Sequence, residues 1–145
     1  MKSILVPIQM CDSARAQMSA ALRIADRFDS HIDGVAPSSA FEPYVSDGLP
    51  IRLSADVLES FLESQAEEIT QAETAYREFM LTNDVAWEDP ATSSSHSTAG
   101  WIVESDGGDS AIAQRARLYD LSVLARCVSG EPLPRAELLE TVLFG

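Results

Sequence analysis

The chain has 145 residues, enough for one domain that buries roughly two-thirds of its unfolded surface without disulfides or metals. Hydrophobic residues make up 46% and charged residues 23%, a balance ordinary for a globular protein and unlike that of a wholly disordered chain. Ten basic against 23 acidic residues give a formal charge of −13, which repels polyanions within about 8 Å and disfavours nucleic acid and anionic membrane surfaces as partners. No apolar run approaches the roughly 18 residues of a membrane span, and the opening apolar stretch is too short for a signal peptide, so a cytoplasmic location is expected.

Ile4, Leu5, Val6 and Ile8 form a nearly continuous apolar run, the pattern of a strand buried on both faces of a parallel sheet, over residues 3 to 9. Asp12 or Ser13 offers a helix N-cap, and Met18, Ala21, Leu22, Ala25 and Phe28 recur at helical spacing, predicting a helix over 13 to 28. His31 to Ala36 returns to an extended pattern, a second strand. Residues 37 to 50 are rich in Ser, Pro, Asp and Gly and read as a loop of about 15 residues.

Ser54 can cap a long helix with the stripe Leu58, Phe61, Leu62, Ile69, Ala72, Tyr76, Phe79 and Met80, ending near Asn83. Its acidic residues, among them Glu59, Glu63 and Glu67, read first as a solvated surface and second as a docking face. Val85, Ala86 and Trp87 predict a third strand, the polar tract over 93 to 98 a loop, and 101 to 103 a continuation or a short edge strand. A turn at 106 to 109 precedes a helix carrying Ile112, Ala113 and Ala116. Residues 121 to 125 predict the fourth strand, and Pro134 opens a last helix with Leu138, Leu139, Val142 and Leu143. Alternating strands and helices imply right-handed crossovers and a three-layer α/β/α domain over residues 1 to 145.

Several local sequences carry a family resemblance. Ile4-Leu5-Val6-Pro7, the Ala21-Leu22 and Ile24-Ala25 pairs, and above all Ala116-Arg117, Asp120-Leu121 and Val123 are similar to segments of the universal stress protein family. The last set lies within Ala113 to Leu124, which is similar to that family's "AR..DL.V.G" junction between its third helix and fourth strand, with Ala125 where the pattern has Gly, and Val85-Ala86-Trp87-Glu88 resembles the third strand of its tandem-domain branch. The resemblance spans nearly the whole chain and implies a Rossmann-like parallel sheet of the adenine nucleotide alpha hydrolase-like type. The implied strand order is 3-2-1-4, with the family's fifth strand missing after the last helix. A reading frame continuing past Gly145 into a Val/Leu/Ile-rich strand is the corresponding expectation.

In such a sheet the binding crevice lies at the carboxyl ends of the first and fourth strands, where the strand order reverses. The residues it would gather are Pro7, Gln9, Ala36, Ala125, Arg126, Ser129 and Gly130. Nucleotide-binding members carry an acidic residue after the first strand and a glycine signature after the fourth, which lets backbone N–H groups approach phosphates. Here Gln9 stands at the acidic position. Only Gly130 follows the fourth strand closely, and Pro132 and Pro134 remove donors from that segment. The resemblance therefore implies a non-catalytic stress-response domain with a degenerate nucleotide crevice and no cofactor. It would act through a homodimer, or through packing against a second similar domain or partner. An ATP- or AMP-binding switch is the alternative.

Other chemistry is poorly supported by the residue types. His31 and His96 lack metal-ligand spacing and read as surface residues, and no GxSxG elbow, GxGxxG or Walker loop is present. Two cysteines make no disulfide framework, in keeping with a reducing compartment, yet Cys11 and Cys127 each lie just beyond a strand end. If those strands are neighbours, the two thiols fall within reach of a disulfide; they read first as two inert thiols and second as a redox-sensing pair.

Overall fold

The computed structural model describes residues 2–37, 45–46, 49–50, 54–87, 96–104, 108–126 and 136–144. Its centre is a parallel sheet of β1 (Ser3–Pro7), β2 (His31–Val35), β5 (Ala86–Trp87), β6 (Thr98–Ile102) and β7 (Leu121–Ser122), in the order β5-β6-β2-β1-β7. A separate antiparallel pair joins β3 (Val45–Ser46) to β4 (Leu49–Pro50) inside the segment read as loop. The helices are α1 (Ala14–Phe28), α2 (Ala55–Thr82), α3 (Gly108–Ala116) and α4 (Ala136–Phe144).

The α/β class and the parallel Rossmann-like sheet follow the sequence expectation. The strand order differs in one place: the neighbour of β2 is β6, and the strand anticipated at 85 to 87 lies outside it as a two-residue edge. Thr98, the last residue of the tract read as loop, begins β6 because its hydroxyl meets a partner on β2 and its backbone pairs with His31. A polar residue with a buried partner is no obstacle to a strand.

Strand alternation divides the core. Ile4, Val6, Ile32 and Ala99 face one layer with Met18, Ala21, Leu22 and Ala25 of α1 and Ala72, Tyr76 and Met80 of α2. Leu5 and Val35 face the other, with Ile112 of α3 and Leu138 of α4. Fully burying one such side chain stabilises the fold by roughly 1.5–3 kcal/mol, so these two clusters carry the sheet. α1 ends where Asp29 turns left-handed at φ 48°, its N–H donating to the Ala25 carbonyl, a conformation that Asp tolerates better than most residues.

Two glycines on neighbouring strands set how closely the layers approach. A Cβ on Gly34 would stand 2.8 Å from the Trp101 ring and 2.9 Å from Tyr76, and one on Gly100 would stand 2.6 Å from Asp33 Oδ1. At the amino end of the sheet, Asp120 accepts from the backbone N–H groups of Lys2 (2.6 Å) and Ser3 (3.1 Å). Those donors hold its carboxyl below the ordinary aspartate range and tie the start of β1 to the start of β7.

Candidate functional site

The carboxyl ends of β1, β2 and β7 lie side by side. Pro7 pairs with Val35, the Ile8 N–H donates to the Val35 carbonyl at 2.7 Å, and the Val123 N–H donates to the Leu5 carbonyl at 2.9 Å. Pro7, Gln9, Ala36, Ala125 and Arg126 therefore lie at or just beyond these strand ends; Ser129 and Gly130 lie outside the described residues. Pro7 and Ala36 are buried, Gln9 and Ala125 half-buried, and Arg126 exposed.

A residue the sequence reading passed over occupies the seam between β1 and β7. Gln17, 4% exposed on the first turn of α1, donates through Nε2 to the Pro7 carbonyl at 2.8 Å and to the Val123 carbonyl at 2.7 Å. Both amide protons are spent on strand-end carbonyls, while its Oε1 is buried with no partner among the described residues. Ser13 holds the N-cap position of α1 but makes no capping bond; its hydroxyl donates to the Arg126 carbonyl at 3.2 Å. Side chains of α1 and of the turn before it thus bridge the ends of β1 and β7. The signal available in sequence was Gln17 itself, a polar residue in register with the apolar stripe of α1.

Beside this seam is a pocket of about 310 Å³, at the lower end of the range for small-molecule sites. Buried Ile8, Ala14 and Met18 and half-buried Phe79 give it an apolar lining, with exposed Arg15 and Glu78 at its rim. Cys11 also lines it and is disulfide-bonded. The chain's other cysteine, Cys127, lies outside the described residues.

On the opposite face of the sheet, His31 is not a surface residue as its sequence context implied. Its Nδ1 lies 2.7 Å from Thr98 Oγ1 and its Nε2 3.0 Å from Asp33 Oδ1, and the Tyr119 hydroxyl donates to Asp33 Oδ2 at 2.7 Å. A carboxylate only accepts, so His31 Nε2 is the donor to Asp33 Oδ1. The array has the order of a hydroxyl–imidazole–carboxylate triad. Its hydroxyl, however, belongs to a residue only 4% exposed and outside the apolar pocket, so the network anchors β2, β6 and the end of α3. Burial, followed by the hydrogen bond to Asp33, raises the Tyr119 phenol above its ordinary range; burial, followed by the Asp33 charge, raises that of Tyr76. Among the described residues, no three His, Cys, Asp or Glu side chains are placed to hold a metal ion.

The fold has counterparts among solved structures. Universal stress protein UspA from Lactobacillus plantarum superposes with a TM-score of 0.62 over 96% of this chain and 90% of its own, at 18% identity. A universal stress protein family member from Burkholderia pseudomallei gives 0.51 over 98% and 87%, at 14% identity. The fold is the universal stress protein fold. No family model and no curated protein matches the sequence, so the likeness shown is one of backbone fold. Within this stress-protein fold, β5 is an added edge beside β6, and among the described residues β7 ends the sheet on the other side. No described helix is long and apolar enough to cross a membrane.

Proposed function

We propose that the chain is a non-catalytic universal stress protein-like domain that works by association in a stress response, with its nucleotide crevice closed rather than open for phosphates. The observation that carries this reading is the Gln17 bridge. A phosphate cradle needs free backbone donors around a gap at the strand ends. Here a buried amide fills the gap and uses its two protons on Pro7 and Val123.

Support for association comes from the β7 side. β7 is a two-residue strand paired only with β1 among the described residues, which leaves polar backbone groups along its other edge. Elsewhere on the surface, Leu118 after α3 and Leu143 and Phe144 of α4 are 80%, 63% and 84% exposed. An isologous pairing of two copies across the β7 edge would cover its polar backbone groups. The apolar pocket by Cys11 suits a small ligand with little charge better than a nucleotide triphosphate.

Thermal shift with ATP, ADP and AMP, together with light scattering, tests this reading. The expected result is no shift with any nucleotide and a dimer mass. Reproducible stabilisation at micromolar ATP or AMP would replace it with the nucleotide-switch alternative.

A further inference from the structure

α2 is longer than the sheet it packs on. Ala72, Tyr76 and Met80 are its buried residues, and the same helical face continues toward the amino end through Ile69, Phe61, Leu62 and Leu58. Among the described residues Ile69 of that extension packs against the core on this layer, Phe61 is half-buried, and Leu58 and Leu62 carry the exposed part of the face. Leu58 is 38% and Leu62 53% exposed, and Val57, on the flank, is 51% exposed. A helical segment of this length is marginal alone in water, and the packed half that follows it supports its propagation.

The flanks have one sign. From Ser54 to Tyr76 there are six acidic residues, Asp56, Glu59, Glu63, Glu67, Glu68 and Glu73, and no Lys or Arg. An apolar ridge flanked by carboxylates has the layout of a coiled-coil seam whose edge charges select the partner. A second copy would set carboxylates against carboxylates in a chain already at −13.

We propose that the amino-terminal half of α2 docks a basic amphipathic helix of a partner protein, with apolar residues on Leu58 and Leu62 and Lys or Arg beside Glu59, Glu63 and Glu67. The segment 55–69 spans about 22 Å at 1.5 Å per residue, so it matches about four turns of partner helix. This surface is separate from the β1/β7 crevice and from the β7 edge, so its fate does not depend on the nucleotide or dimer reading.

The test is fluorescence anisotropy of a labelled 18-residue Leu/Lys peptide patterned as an amphipathic helix, against a scrambled peptide of the same composition, at low and high salt. The expected result is micromolar binding of the patterned peptide, at least tenfold tighter than the scrambled one. Leu58→Asp with Leu62→Asp should weaken it tenfold or more. Glu59→Lys, Glu63→Lys and Glu67→Lys together should remove most of the salt dependence. Neither leucine belongs to the buried core, so circular dichroism should show all variants folded. Equal binding of the two peptides, or unchanged affinity in the leucine variant, overturns the proposal. So does a free dimer that the leucine variant dissociates, which would make a second copy the occupant.

Discussion

The Gln17 side-chain amide donates to the Val123 carbonyl at 2.7 Å, joining the first turn of α1 to the chain leaving β7. Because the same nitrogen also serves Pro7, one buried residue satisfies the ends of two strands. Gln17→Ala leaves two carbonyls without that donor, and each such loss costs about 1–3 kcal/mol. A net loss of about 2 kcal/mol, or roughly 6 °C in Tm, is the expected outcome in thermal denaturation. Gln17→Glu should be worse, since it sets a carboxylate against both carbonyls. If either variant matches the parent, the crevice is not held shut by this bridge.

The two close glycines should respond unequally to the same added methyl. At Gly34 the obstacles are the rings of Trp101 and Tyr76, which are packed against each other with centroids 5.6 Å apart and have little room to yield. At Gly100 the obstacles are the ends of Asp33 and His31, which can rotate at the expense of their hydrogen bond. Overpacking costs about 1–3 kcal/mol. Chemical denaturation should therefore rank Gly34→Ala as the larger loss, and the reverse order would show that the Asp33 network is the stiffer of the two.

The fold was legible because its strands are short apolar runs and its helices carry stripes: Ile4 to Val6 and the α1 pattern need no tertiary information. The displaced strand was not. Thr98 and Gly100 look like loop residues until His31 supplies a partner for one and Asp33 approaches the other, and both relationships are long-range. The site was half legible for the same reason. The edge residues Pro7, Gln9, Ala36, Ala125 and Arg126 follow from strand order, whereas Gln17 acts across 106 residues of sequence. His31 and Asp33 did leave a trace, as alternate polar residues in a strand that helices cover on both faces.

Two phenols sit in environments that favour the neutral form, Tyr76 through burial and Tyr119 through burial and its bond to Asp33. Their folded-state pKa values lie above the ordinary 10.0. Their contribution to stability is therefore intact below about pH 10 and is lost as the pH rises through the raised values. Ultraviolet titration should show both ionising late and together with alkaline unfolding. Tyr119→Phe should remove one late-titrating phenol and lower stability at pH 7 by about 1–3 kcal/mol, because Asp33 is 5% exposed and loses a donor. Ionisation of Tyr119 near pH 10 in the folded protein would contradict this account.

Cys11 is bonded as a disulfide on the wall of the apolar pocket, and Cys127 is the one other cysteine the chain offers. A bond between the two would link the turn after β1 to a residue 116 positions later in sequence. A cross-link closing more than 100 residues removes at most about 4.7 kcal/mol of unfolded-state entropy, so reduction should lower Tm measurably. Intact mass after alkylation without reductant should show an unmodified chain about 2 Da below the reduced mass, and two alkyl groups only after reductant. Labelling of both thiols in the untreated protein would refute the bond. An unchanged Tm on reduction would show that the folded state does not depend on the bond.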